Sequence, residues 1–125
     1  MEFEDDVEYT VTVKQDHNDA DYVSESWSLT GAEIKRVVLP VAEALRGNPC
    51  NAWNGGCWER SVRTYDNDGN YKGMVNKGPT DWYPDLDPKI IEEFGEMFIR
   101  YNSFGMAPHT IESITFIQGS PGTIY

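Results

Sequence analysis

Cys50 and Cys57 are the most reactive side chains in the sequence, and they bracket Asn51-Ala52-Trp53-Asn54-Gly55-Gly56. Six intervening residues can close a disulfide loop, but a bridge also needs a geometry that spacing alone does not fix. In a reducing cytosol free thiols are the default. A zinc site needs more ligands than these two cysteines, and adding His17 or His109 gives no recognised spacing. A catalytic thiol would need a base nearby, and neither histidine is marked as one.

The carboxylates give two further candidates. Asp66, Asp68 and Asn70 begin like a calcium loop, but Gly69 comes two places early and Lys77 stands where the bidentate glutamate should be. Asp16, His17, Asp19 and Asp21 could gather round a cation, yet polar turns have the same composition. Asn54-Gly55-Gly56 lacks the lysine and the helix start of a phosphate-cradling loop. Neither a Gly-x-Ser-x-Gly elbow nor a His-Glu-x-x-His helix is present. The expectation is a protein that is not an enzyme and holds no metal or cofactor. If it were an enzyme, His109, directly after Pro108, would be the residue to test.

Aromatic residues give the more suggestive pattern. Trp53, Trp58, Trp82 and Tyr83 fall in or beside glycine- and proline-rich connections. Tryptophan and tyrosine are over-represented at interface hot spots, although large rings are also commonly folded back into the interior. Arg60, Arg63 and Lys72 share the same stretch and could pair with acids or rim a site for an anion.

Charge is the most unusual total. The 125 residues carry 10 bases and 21 acids, a net of −11. Residues 1–22 hold eight acids against Lys14 alone, and residues 81–125 hold seven against Lys89 and Arg100, whereas residues 30–80 hold seven bases against five acids. Most of such a surface repels phosphates, which argues against direct binding to nucleic acid or an anionic membrane. It suits a protein partner with a basic groove, for which Asp5, Asp6, Glu92, Glu93 and Glu96 are the acidic candidates.

The elements that would hold these residues are legible from periodicity. Val7, Tyr9, Val11 and Val13 alternate with polar residues, as in a strand with one wet face. A second strand follows, with Val23, Trp27 and Leu29 on one side and serines on the other; Glu25 falls on the apolar side. Thr30-Gly31-Ala32-Glu33 is a capping box, and Ile34, Val37, Val38, Val41 and Leu45 form a helical stripe ending near Gly47. Pro40 sits inside that stripe and predicts a kink or a break. Trp58 to Tyr65 and Tyr71 to Val75 read as a hairpin about Asp66-Asn67-Asp68-Gly69, whose Asp-Gly pair suits the positive φ angles of a tight turn. Lys77 to Asp85 reads as a loop. Asp87-Pro88 opens a second helix with Ile90, Ile91, Phe94, Met97, Phe98 and Tyr101 buried, and Gly105 and Pro108 close it. Thr110 to Gln118 is a last strand, central or bulged because its alternation slips.

The sequence therefore predicts one α+β domain over residues 1–125, with residues 1–6 as a flexible acidic lead-in. Its order is ββαββαβ, a mostly antiparallel sheet with two amphipathic helices packed on one face. No stretch is long and apolar enough to span a bilayer, and no secretory leader is visible, so the expected location is the cytoplasm. Small acidic proteins without motifs are common among phage and mobile-element products that block a host protein. The expected function is of that kind: a non-catalytic inhibitor of a host nucleic-acid-handling or defence protein. The alternatives are a domain that sequesters a nucleotide or other anion through Trp53, Trp58, Trp82, Arg60 and Arg63, and an assembly component that pairs through an open sheet edge.

Overall fold

A computed structural model describes residues 2–16, 22–47, 56–77, 79–98 and 109–125. The elements are strands β1 (Glu8–Asp16) and β2 (Tyr22–Thr30), helix α1 (Gly31–Glu33), a π-helical stretch (Ile34–Val38), α2 (Leu39–Gly47), β3 (Gly56–Tyr65), β4 (Tyr71–Lys77), a short α3 (Pro79–Trp82), α4 (Pro88–Phe98), β5 (His109–Gln118) and β6 (Ser120–Thr123). The architecture is α+β. Strands run in the order β2-β1-β5-β3-β4, with β6 also on β5, and every pairing is antiparallel.

The register explains why one face is buried. Tyr9 stands opposite Leu29, Val11 opposite Trp27 and Phe116, and Val13 opposite Glu25 and Ile114. These positions line the side on which the helices pack, where Val11, Val13 and Ile114 are fully buried. Glu25 therefore does stand on the core-facing side, at the sheet edge. The other face is made of hydroxyls, including Thr10, Ser24, Ser26 and Ser28, and Thr12 and Ser26 bond across it at 2.6 Å.

The slipped alternation of β5 has a local cause. Lys14 faces Ser113 and Gln15 faces Ile111, so Glu112 is the extra residue of a bulge. The bulge turns both Ile111 and Ile114 to the core. β5 is central, as expected: its start pairs with β3 and its end with β6 on the edge opposite β1. The strand β6 is not expected from sequence, because proline and glycine, both depleted in strands, fill the middle of Ser-Pro-Gly-Thr; Gly119, at φ 80°, folds it back onto β5.

The first helical stretch starts at its capping box. Thr30 Oγ1 accepts from the Glu33 amide at 3.2 Å, and Glu33 Oε1 accepts from the Thr30 amide at 3.0 Å. Pro40 does not break the helix. Helical structure continues from Gly31 to Gly47, and the strain is taken up by a widened turn in which the Leu39 amide donates to the Ile34 carbonyl. In a regular helix the proline ring would collide with the carbonyl four residues back, that of Arg36. The π turn just before it relieves the clash without ending the helix.

Residues 2–6 are not a loose lead-in. Phe3 is buried, with ring centroids 5.1 Å from Tyr9 and 4.9 Å from Phe116, and the Tyr9 hydroxyl oxygen accepts from the Glu4 amide at 3.1 Å. The Gly31 amide donates to the Val7 carbonyl at 2.9 Å, fixing the segment to the helix start. At the other end, Asp87 caps α4 by accepting from the Lys89 amide at 2.9 Å. Phe94 and Phe98 are fully buried, and Phe98 meets Trp27 edge-on at 4.6 Å, seating α4 over β2. Tyr101 and the expected stop at Gly105 and Pro108 lie outside the described residues.

A candidate acidic interface

The expected acidic residues come from two segments nearly ninety positions apart, and one residue of each pairs with the helical π turn. Lys35 pairs with Asp5 of the N-terminal segment. Arg36, the next residue, binds Glu93 of α4 with two parallel bonds of 2.5 and 2.8 Å. Asp5 and Glu93 are therefore each tied to the same helical turn, by consecutive bases. Asp6 lies beside Asp5, and Glu92 and Glu96 flank Glu93 on the exposed side of α4. Among the described residues, Asp6, Glu92 and Glu96 are exposed and make no ion pair.

The Arg36–Glu93 pair perturbs both groups. The Arg36 guanidinium, by hydrogen bonding first and by charge second, holds the Glu93 carboxyl below its ordinary value, and Glu93 raises Arg36 in return. Two of the five expected acids, Asp5 and Glu93, are thus engaged within the chain. Exposed pairs of this kind contribute little to stability, so their main effect is to set where the acids stand.

Of the aromatic and basic candidates, Tyr83 is buried and Arg63 is exposed. Tyr83 is 4% exposed and belongs to the core rather than to a surface loop. Its ring follows α3, a helical turn in what reads as an open loop, and the turn carries it inward. Trp53 lies outside the described residues, as does Cys50, so the disulfide question does too. Trp58 and Arg60 are placed in β3 and Trp82 at the end of α3 by backbone alone. Arg63 is exposed, opposite Met74. Positions 60 and 63, three apart on a regularly paired strand, belong to opposite faces of β3.

A cleft of about 320 Å³ is lined by Ala44, Gly47, Tyr83, Pro84, Asp85 and Leu86. Its one charged side chain is a carboxylate, which suits neither a nucleotide nor another anion. The residues recalling a calcium loop form the hairpin turn: Asp66 Oδ1 accepts from the Asp68 and Asn70 amides, both at 2.9 Å. Those amides, Asn70 first, hold the Asp66 carboxyl below its ordinary value. Of the other cation candidates, His17, Asp19 and Asp21 lie outside the described residues. Among the described residues no cluster of three metal-ligating side chains occurs, and no helix is long and apolar enough to cross a membrane.

Residues that the sequence did not single out are the exposed Tyr65, Tyr71 and Met74 of the β3–β4 hairpin. The available signal was two tyrosines flanking a polar turn, a pairing that exposes rings when a ribbon extends past its sheet. No family model, no curated protein and no solved structure matches the chain.

Proposed function

We propose that this protein is a non-catalytic binding module that presents an acidic surface to a basic protein groove, in the manner of a small phage or mobile-element inhibitor of a host nucleic-acid-handling or defence protein. The observation that supports this reading is that Asp5 and Glu93, with Asp6, Glu92 and Glu96 beside them in the chain, are tied to the consecutive bases Lys35 and Arg36, on a chain with a net charge of −11. Carboxylates held on a helix and a docked segment offer fixed negative charge, as phosphates do. Such charge steers a basic partner and opposes nucleic acid at the same site.

The test is capture from a bacterial lysate at low and raised salt, with the retained protein identified by mass spectrometry. The expected result is one basic protein, weakened by salt and released by short duplex DNA, because the DNA and the acidic surface compete for one groove. Retention indifferent to both salt and DNA would rule out the electrostatic reading.

A further inference from the structure

We infer that the β3–β4 ribbon is a self-association surface, on which a second copy of this chain docks face to face. Five large hydrophobic side chains are markedly exposed among the described residues, and four of them, Tyr65, Tyr71, Met74 and Val75, lie on this ribbon. A two-stranded ribbon is marginal in water unless something covers it. Among the described residues, β3 pairs with β5 only through Gly56 to Glu59, and from Arg60 to Tyr65 it pairs with β4 alone.

The pairing decides which residues share a face. Arg63 is opposite Met74 and Tyr65 is opposite Tyr71, with a register slip between the two rows. Without the slip, positions 71 and 74 would fall on opposite faces, because strand side chains alternate. The extra residue, Lys72, turns Tyr71 to the Tyr65 side, where the two rings meet edge-on at 6.0 Å. Gly73 beside it takes φ 115°, which a side chain would resist, and its carbonyl accepts from Thr64 Oγ1 at 2.9 Å. One face thus carries two successive rows, Arg63 with Met74 and then Tyr65 with Tyr71.

These rows complement each other, and that identifies the occupant. A guanidinium binds the face of an aromatic ring, and a thioether packs against one. Two ribbons can stack antiparallel about a two-fold axis that runs across the strands between the rows. Arg63 of each copy then covers Tyr65 of the other, and Met74 covers Tyr71. A second copy supplies all of these groups by symmetry. The apolar area offered is on the order of half the ~800 Å² per partner of a standard interface, so the association is weak and concentration-dependent.

Sedimentation equilibrium from micromolar to millimolar concentration tests this, independently of the acidic surface. The expected result is a reversible monomer–dimer equilibrium in the wild type. Arg63→Ala and Tyr71→Ser, both at exposed positions, should each raise the dissociation constant at least about tenfold, while Ser28→Lys on the outer edge strand β2 leaves it unchanged. A monomer at millimolar concentration would overturn the inference and leave the ribbon to a different partner. A dimer broken by Ser28→Lys but indifferent to both ribbon variants would overturn it as well.

Discussion

Arg36 holds both carboxylate oxygens of Glu93, 57 residues further along the chain, and thereby ties the π-helical turn to α4. Its neighbour Lys35 holds Asp5. Two consecutive bases thus tie an acid from each end of the sequence to one helical turn. The widened turn that carries them is a consequence of Pro40, which forbids a regular helix at that point.

The pair has a titration signature. A carboxyl whose pKa is lower in the folded state stabilises the fold above its unfolded pKa, and that contribution is lost as pH falls through the folded value. Glu93 and Asp66 are both lowered. In an NMR titration both should therefore protonate below their ordinary values. Arg36→Ala should return Glu93 to the ordinary range, leave Asp66 unmoved, and barely alter the melting temperature at neutral pH, since the pair is exposed.

Gly31 admits no side chain. A Cβ there would stand 1.9 Å from the Glu4 carbonyl oxygen and 2.5 Å from its carbon, so the clash is with backbone. Gly31→Ala should cost about 1–3 kcal/mol in chemical denaturation and loosen the N-terminal segment that bears Asp5 and Asp6. Hydrogen exchange at the Gly31 and Ala32 amides, which donate to Val7 and Asp5 at 2.9 and 3.3 Å, would report that loosening directly.

Phe94 anchors α4. It is fully buried and its ring lies 4.7 Å from that of Phe98. Phe94→Ala should lower stability by about 3–5 kcal/mol in urea unfolding, the usual range for emptying such a site. Because α4 also carries Glu92, Glu93 and Glu96, the same variant should weaken partner binding more than its unchanged surface charge would suggest.

Local signals in the sequence led directly to several elements. Thr30 and Glu33 announce a helix start because a capping box is closed within four residues, and Val11 and Val13 declare the buried face because strand periodicity is local. The slip in β5 was visible as Ile111 and Ile114 three apart, though only the register showed Glu112 as the extra residue. What was not legible depends on distant contacts. Phe3 reads as part of an acidic tail until Tyr9 and Phe116 are seen to receive it. Pro40 reads as a break until the π turn accommodates it. Tyr83 reads as a surface aromatic because the helical turn at Pro79–Trp82 has too few residues to show a period. The acids of the candidate interface were each visible, but the pairing of Asp5 with Lys35 and of Glu93 with Arg36 is a product of tertiary packing.

The most direct test of the acidic interface is charge reversal at the three exposed, unpaired acids, Asp6→Lys, Glu92→Lys and Glu96→Lys together. The triple variant and the wild type would be titrated against the captured basic protein by calorimetry at low salt. These positions lie outside the core, so melting should change little. The expected result is a loss of affinity of at least about 100-fold, with the salt dependence largely abolished. Equal affinity in a folded triple variant would contradict the central claim that this surface makes the contact.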